Sequence, residues 1–336
     1  MKKTLFALAA LATVAGAASA QSSVTLSGSV DLGVIRQNEE YTMGPAGSSR
    51  SAITLSGVED LGGGLKAGFY LNHRFDPSTG NINSSQVGGS GGSTFWRQGW
   101  LQLMSGFGDL RIGKMLPPLQ EFNGGYEPWG GGDTVANVHT GGKYAGANNA
   151  RYAKAMYYRT PVFGGFQVHG MYAAGESQGN VATNNERPYG LGLQWVSGPF
   201  SFAAAYDSNQ NDLTSWGLYG KWNIGFMELM FQYENQDEES DYFTSTTADD
   251  DTSTRWSIGG KIPMGATMFK VGYTKWSDER ASTAASGYGL SRFGLGLDYS
   301  LSKRTMLYAD VAKNSGDGFT DKQKSTMFDV GIQHKF

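Results

Sequence analysis

Short segments in which apolar and polar side chains alternate run from residue 23 to the C-terminus. In the first segment, Val24, Leu26 and Val30 share one parity, while Thr25 and Ser27 occupy the other. A β-strand points successive side chains to opposite faces, so each segment predicts a strand with one apolar and one polar face.

Sixteen such segments follow one another, and the connections between them alternate in length. The segments cover residues 23–36, 51–58, 65–76, 94–104, 108–116, 151–160, 165–174, 187–196, 199–207, 213–222, 226–235, 254–262, 266–277, 289–299, 303–313 and 325–336. Short turns lie at 59–64, 105–107, 161–164, 197–198, 223–225, 263–265 and 300–302. Longer loops lie at 37–50, 77–93, 117–150, 175–186, 236–253, 278–288 and 314–324, and 208–212 is a short exception.

This rhythm is typical of an up-and-down membrane barrel, in which one rim carries short turns and the other carries long loops. An even strand number returns both termini to the short-turn rim, and closure is required because an open edge would leave backbone groups unpaired in hydrocarbon. The prediction is an all-β fold, a 16-stranded antiparallel transmembrane β-barrel wide enough for a water-filled lumen. The alternative is a soluble sandwich or barrel, for which so many uninterrupted hairpins of membrane length would be unusual.

The composition agrees with a barrel that has one wet face and one apolar face. The mean hydropathy is −0.37, yet aromatic residues reach 13% and glycine accounts for 49 of the 336 residues. Aromatic girdles at both interfaces and a polar interior would give this combination. The chain has no cysteine and a net charge of −3, and an acidic chain without a basic motif predicts no nucleic-acid partner.

The N-terminus has the pattern of a secretory signal peptide. Lys2 and Lys3 precede an uncharged apolar stretch, and Ala18 and Ala20 present small residues for cleavage. The stretch is too short to span a bilayer. We therefore expect two parts, a signal peptide at 1–20 and a barrel domain at 21–336, with export to the cell outer membrane.

Five stretches have the character of family motifs, namely 22–28 (SSVTLSG), 57–67 (GVEDLGGGLKA), 106–114 (GFGDLRIGK), 302–305 (SKRT) and 330–336 (VGIQHKF). They resemble the Gram-negative general porin family, and most of all its β-proteobacterial branch. Lys114 departs from the pattern, since many members of the family have arginine there.

The resemblance implies a homotrimeric outer-membrane channel for passive diffusion of small hydrophilic solutes and ions. It implies that the third loop folds inward and narrows the pore, and that Phe336 is the assembly signal read by the barrel-assembly machinery. Outer-membrane lipid and lipopolysaccharide are the expected surroundings, and the chain is expected not to be an enzyme.

Lumen-facing charges set selectivity in wide pores, and parity assigns some of them. The predicted basic wall consists of Arg50, Arg74, Arg97, Arg111 and Lys114. Within it, Arg97 has the parity opposite to Trp96 and Trp100. Lys114 has the parity opposite to Arg111, so it points inward only if its strand bends or ends there.

The predicted counterpart of the basic wall is a set of acids in the loop 117–150, namely Glu121, Glu127 and Asp133. If that loop lies in the lumen, these acids face the basic wall and produce a transverse field. A separate acidic loop, 236–253, is either a divalent-cation site or a solvated surface, and the spacing of a calcium loop is absent.

Other kinds of chemistry find little support in the sequence. The four histidines lie on separate segments without metal-ligand spacing, and no Gly-x-Gly pair completes a dinucleotide fingerprint. We therefore expect no cofactor, no metal and no catalytic residue. Two alternatives to a general channel stay open. One is a substrate-selective channel in which Tyr126 and Trp129 form a stacking path for sugars, unless these rings pack the loop against the wall. The other is an enzyme or adhesin on a barrel scaffold.

Overall fold

The computed structural model describes residues 23–46, 51–81, 95–132, 134–138, 151–174, 187–208, 214–238, 251–278, 289–316 and 321–336. Its strands are β1 (Ser23–Gln37), β2 (Glu40–Gly44), β3 (Ala52–Gly62), β4 (Leu65–Arg74), β5 (Gln98–Ser105), β6 (Gly108–Met115), β7 (Tyr152–Arg159), β8 (Phe166–Ala173), β9 (Tyr189–Ser197), β10 (Phe200–Ser208), β11 (Thr214–Asn223), β12 (Glu228–Glu238), β13 (Asp251–Met264), β14 (Thr267–Asp278), β15 (Gly289–Ser300), β16 (Thr305–Gly316) and β17 (Met327–Lys335). One helix, α1 (Pro118–Gly125), lies between β6 and β7.

These strands form one closed antiparallel barrel with sixteen wall positions, as the alternation predicts. Each strand pairs with the next along the chain, and the seam closes where β1 pairs with β17, with Leu32 opposite Ile332. The predicted strand ends differ from the observed ones by at most four residues, as where β3 ends at Gly62 and not at 58.

The prediction of a loop over 37–50 is wrong for part of that range, because β2 occupies Glu40–Gly44. Asn38 and Glu39 form the turn before it with φ angles of 54° and 66°. Two successive positive φ angles define the tight hairpin turn that matches strand twist, and asparagine tolerates that conformation. Since β2 and β3 pair with successive parts of β1, they share one wall position.

The two faces of the wall have reversed polarity relative to a soluble protein. Large apolar side chains are exposed on the outer face, as Leu101 is at 69% and Leu191 at 57%. Polar side chains such as Gln232 and Gln333 are buried on the inner face. Exposed apolar area on this scale is stable only in a hydrocarbon environment, so the outer face is the lipid face. Among the described residues, no helix is both long and apolar enough to cross a membrane.

The side chains of β5 have the opposite orientation to the predicted one. Leu101 and Leu103 are on the exposed outer face, so Trp100 lies on the inner face, where it stacks on Tyr70 of β4. The prediction extended the alternation back to Arg97, which lies before the strand begins. An alternating pattern assigns a face only to residues that belong to the extended strand.

Candidate functional site: the inner wall and the docked segment

Much of the connection between β6 and β7 lies against the inner wall. We call residues 117–138, of which 133 is not described, the docked segment. It begins at Pro117 and Pro118, continues through α1 and reaches Val138. Proline favours the first turn of a helix because its missing N–H has no partner there.

The first place where the docked segment packs is a pair of glycines on β9. A Cβ atom at Gly192 would lie 2.8 Å from Cβ of Pro118 and 2.9 Å from Cε2 of Phe122. A Cβ atom at Gly190 would lie 3.0 Å from Cδ of Pro118. These glycines therefore leave the space that the start of α1 fills.

A second pair of glycines lies on β14 and β15. A Cβ atom at Gly272 would approach Cγ1 of Val138 to 2.7 Å and Cζ3 of Trp129 to 2.9 Å, and one at Gly296 would lie 2.8 Å from Nε1 of Trp129. Only residues without side chains permit this approach.

Two inner-wall carboxylates hold the end of the docked segment. Asp310 accepts hydrogen bonds from Nε1 of Trp129 at 2.7 Å and from Oγ1 of Thr134 at 2.9 Å. Asp329, directly opposite on β17, accepts one from the backbone N–H of Val135 at 2.7 Å. Both carboxylates are almost fully buried, so they serve as acceptors for this segment.

A second polar cluster holds α1 against β11–β13. The side chain of Asn123 donates to Glu234, and Gln232 donates to the carbonyl of Asn123 at 2.5 Å. Tyr219 also donates to Glu234, at 2.7 Å, and Arg255 forms an ion pair with the same carboxylate. A buried charge needs such partners to offset its desolvation.

Tyr126 and Trp129 have their rings packed between the docked segment and the wall. Their exposed fractions are 3% and 1%. The hydroxyl of Tyr126 is 2.6 Å from Oγ of Ser201 and accepts a hydrogen bond from Gln194 at 3.0 Å. The hypothesis that these two aromatics form a stacking path for solutes is therefore wrong.

Glu121 is the predicted loop acid that the fold brings to the predicted basic wall. Its carboxylate lies 3.9 Å from Arg111 and accepts a hydrogen bond of 2.8 Å from the hydroxyl of Tyr157. Arg111 also donates to Asp109, at 2.7 and 3.0 Å, so its charge is shared between two carboxylates.

Glu127 has a different environment from the one predicted for it. It is 1% exposed and accepts hydrogen bonds from the backbone N–H groups of Trp129, at 3.0 Å, and Gly131. Burial raises the pKa of Glu127 from its ordinary 4.5 to about 7, although these two hydrogen bonds and the nearby Lys270 lower it. Asp133 and Arg50 lie outside the described residues.

The raised pKa of Glu127 predicts that docking weakens as pH rises. The docked carboxyl binds its proton more tightly than an undocked one, so its contribution to docking is fully present below about pH 4.5 and is lost as the pH rises to about 7. The shift corresponds to about 3 kcal/mol. We expect single-channel conductance and its fluctuations to increase over the same range, between about pH 4.5 and pH 7.

Glu127→Gln is the matched variant for this prediction because it keeps an acceptor oxygen and cannot titrate. Its conductance should vary less with pH than that of the unmodified channel. Identical pH profiles for the two proteins would contradict the assignment.

The remaining predicted basic residues are at the long-loop ends of neighbouring strands. Arg74 ends β4, Arg97 precedes β5 and Lys114 lies near the end of β6. Arg151, which precedes β7 and was not predicted, and Arg97 are close enough to Lys114 to repel its charge. The register shift beside Gly113 places the extra residue on β7, because Gly113 pairs with Ala155 and Met115 with Tyr152. β6 therefore keeps its alternation, and Lys114, the register partner of Gly99, has outward parity, so the bend that an inward Lys114 requires is not found on β6.

Parity also identifies basic inner-face residues that the prediction overlooked. They are Arg151, Arg159, Lys221, Arg255, Lys261, Lys270 and Arg292. Each belongs to, or directly precedes, a strand whose alternation the sequence shows, so sorting every charge by parity would have found them. Lys270 forms an ion pair of 2.7 Å with Asp298.

Phe336 completes the seam of the barrel. Its backbone N–H and carbonyl form a reciprocal pair of 3.0 Å hydrogen bonds with Gly28. A Cβ atom at Gly28 would lie 2.6 Å from Cζ of the Phe336 ring, which therefore lies over that glycine. The C-terminal residue thus has a structural role, and its role as an assembly signal stays a prediction.

Comparison with known proteins identifies the family. The family model for Gram-negative porins matches residues 7–318. The chain belongs to the Gram-negative porin family. This porin is 30% identical to an outer membrane porin protein of Bordetella pertussis, in an alignment that covers all of both chains. It is also 30% identical to outer membrane porin protein 32 of Delftia acidovorans, over 99% of this chain and 95% of that one.

Solved structures agree with this assignment. The anion-selective porin from Comamonas acidovorans superimposes with a TM-score of 0.79 at 27% identity, covering 94% of this chain and 100% of that one. The trimer form of OmpT from Vibrio cholerae, at 14% identity with a TM-score of 0.69, shares the fold; the match covers 94% of this chain and 99% of that one. The porin is therefore an outer-membrane channel for passive diffusion.

Proposed function

We propose that this porin is a trimeric diffusion channel that passes small anions in preference to cations and is narrowed by the docked segment. The observation that carries the ion preference is a difference in burial. Among the described residues of the inner wall and the docked segment, six carboxylates are buried, and of the charged side chains that still reach water more are bases than acids.

The buried acids have hydrogen-bond donors of the protein around them. Six carboxylates are at most 4% exposed, namely Asp31, Glu127, Asp207, Glu234, Asp310 and Asp329. Asp31, for instance, accepts hydrogen bonds from Tyr308 at 2.7 Å and from Gln333 at 3.1 Å. A carboxylate that is enclosed in this way contributes less to the potential in the pore than one in contact with its water.

The bases that reach water are distributed around the barrel. Lys66 is exposed, and the partly exposed bases are Arg74, Arg111, Arg151, Arg159, Lys221, Lys261 and Arg292. The acids that reach water are fewer, namely Asp60, Asp109, Glu121, Glu228 and Asp298, of which Glu228 lies 3.9 Å from Lys261. Arg97, Arg255 and Lys270 are buried, and the last two form ion pairs with acids of the wall. A mobile ion therefore encounters an excess of positive charge, which raises the local anion concentration.

The narrowing is supported by the reach of the docked segment. Asn123 contacts Glu234 on β12, while Trp129 and Val135 contact Asp310 and Asp329 on β16 and β17. A segment with partners on wall strands this far apart occupies part of the lumen. The predicted transverse field agrees with the contact of Glu121 with Arg111.

Similarity supports the same ion preference. The structure from Comamonas acidovorans, which is 27% identical over almost the whole chain, is that of an anion-selective porin. Charges that line a pore determine which ions pass. The similarity and the burial difference are independent reasons for the proposal.

The reversal potential in a planar bilayer tests the ion preference. With KCl at different concentrations on the two sides, we expect a potential of the sign that chloride permeation gives. Liposome swelling with solutes of graded size tests diffusion, since a general channel passes unrelated solutes at rates set by size. A potential of the potassium sign would overturn the anion preference.

The trimer is supported by family membership and by an uneven outer face. Exposed outer residues on β1, β3, β5 and β6 are largely aliphatic, for example Val24, Ile53, Leu101 and Ile112. Exposed aromatics are concentrated on β8–β15, including Phe166, Phe202, Trp216, Trp222, Trp256 and Phe293. Interfacial aromatics favour contact with lipid headgroups, so the aliphatic side is the better surface for another subunit.

Export and assembly complete the proposal. Residues 1–20 act as a cleaved signal peptide, so that the mature barrel begins at Gln21. Phe336 is read by the barrel-assembly machinery, and lipopolysaccharide surrounds the long-loop rim. The protein works as a channel and not as an enzyme.

A further inference from the structure

Tyr70 and Trp100 form an aromatic pair on the inner wall that the diffusion function leaves unexplained. They are register partners on β4 and β5, and their rings stack with centroids 4.3 Å apart and an interplanar angle of 17°. Both rings are partly exposed. The other large inner-face aromatics are buried, namely Tyr152, Tyr157, Tyr219, Trp276 and Tyr308.

Small residues flank the pair along the wall. The register partner of Trp100 on β6 is Gly113, and that of Tyr70 on β3 is Ser56. On the inner face of β4, Gly68 lies two residues from Tyr70. These small neighbours leave room beside the pair. Trp100 also packs against the buried cluster that contains Met115, Tyr152 and Tyr157, yet both rings of the pair stay partly exposed to the pore.

Polar and charged groups lie near the aromatic pair and would orient a charged solute bound there. Nε1 of Trp100 donates to Gln102 at 3.3 Å, and the guanidinium of Arg111 lies 5.2 Å from the centroid of the Trp100 ring. Toward the long loops, Arg74 follows Tyr70 by four residues on the same face. Four residues of strand span about 13 Å, so the long Arg74 side chain and the anionic end of a solute together can close this gap while the ring of the solute contacts the aromatics.

We propose that Tyr70 and Trp100 form a binding station for small planar aromatic anions, such as aromatic carboxylates, in transit through the pore. The solute ring stacks on the pair and its carboxylate faces Arg74. The charge part of this inference rests on the proposed anion preference. Aromatic stacking beyond burial gives about a two- to tenfold gain in affinity, which suits a site that must also release its solute.

Single-channel block tests the station. Benzoate and cyclohexanecarboxylate have the same charge and similar size, but only benzoate has an aromatic face. We expect benzoate to reduce KCl current at a concentration several-fold lower than cyclohexanecarboxylate does. Equal half-block concentrations in the unmodified channel would overturn the proposal.

Variants of Tyr70 locate the effect. Tyr70→Leu should abolish the difference between the two acids, Tyr70→Phe should retain it, and Tyr273→Leu on the outer face should leave it unchanged. All three should show the trimer mobility and heat-modifiable migration of the folded protein. A benzoate preference that persists in folded Tyr70→Leu would also overturn the proposal.

A neutral pair of solutes separates this inference from the proposed ion preference. Benzyl alcohol and cyclohexylmethanol probe stacking without charge, and the KCl reversal potential is measured in the same membranes. If the reversal potential shows cation preference but benzyl alcohol still blocks more strongly, the ion preference fails and the aromatic station stands. If the neutral pair and the acids both show no difference, the station fails whatever the ion preference.

Discussion

Replacement of Trp129 by alanine is expected to release the docked segment and to increase single-channel conductance. The indole is 1% exposed, fills the space above Gly272 and Gly296, and donates to Asp310. Truncation of a buried tryptophan to alanine costs about 3–5 kcal/mol, which lowers the ratio of docked to undocked states by more than about a hundredfold. The barrel should remain closed because the strand pairing does not depend on Trp129.

Conductance histograms and current noise measure this effect. Trp216→Ala is the matched control, since Trp216 is 39% exposed on the outer, lipid-facing side of the barrel and does not belong to the inner wall. It should leave conductance unchanged. Gly272→Val disrupts the same contact by a change in the wall and not in the segment. It should have the same effect as Trp129→Ala, because the added Cβ atom would lie 2.9 Å from the indole. Unaltered conductance and noise in both variants would show that the segment does not narrow the pore.

Neutralisation of Arg74 and Arg97 together, as Arg74→Gln and Arg97→Gln, is expected to shift the reversal potential toward potassium. Both are at the long-loop ends of adjacent strands, and Arg97 is close to Lys114. Arg74 is partly exposed whereas Arg97 is buried, so most of the shift should come from Arg74. One unit charge about 6 Å away in water changes the energy of an ion by about 0.7 kcal/mol, or roughly threefold in local concentration. The shift should be large at about 0.1 M salt and small at about 1 M, because salt screens the charges.

A control with the same change in total charge distinguishes pore charges from net charge. Lys275→Gln and Lys313→Gln remove two exposed cations from the outward parity of β14 and β16. This double variant should leave the reversal potential where it was. If the Arg74 and Arg97 variant also leaves it unchanged, the basic wall has no part in selectivity.

The position of Trp100 shows a limit of parity as a predictor. The prediction placed Arg97 in the lumen by parity, and this implied an outward Trp100. The fold instead places Leu101 and Leu103 outward, and Trp100 stacks on Tyr70. Whether an indole faces lipid or lumen depends on the residues beside it on neighbouring strands. For Trp100 that residue is Tyr70, which lies 30 positions away in sequence, and the backbone before β5 is too irregular for the alternation to be extended through it.

The bulge beside Gly113 has the same origin. The sequence indicated that Lys114 points inward only if its strand bends or ends. The structure places the extra residue on β7, where Lys154 has a φ angle of 53°, so β6 keeps its alternation and Lys114 its outward parity. The condition was predictable from parity, but whether it is met depends on the pairing of β6 with β7.

The sequence alone determined the barrel. Period-two alternation, sixteen segments and alternating short and long connections leave one closed topology in a bilayer, since every backbone group must be paired there. These signals are local, so they can be read from neighbouring residues. Tertiary structure decided what the inner glycines and acids do. In the sequence, Gly192 and Gly272 are ordinary strand glycines and Asp310 is one of several lumen charges. Only the fold shows that the docked segment packs on these three residues. Those contacts join residues far apart in a chain of similar alternation throughout, so only the folded geometry specifies which wall residue meets which part of the segment.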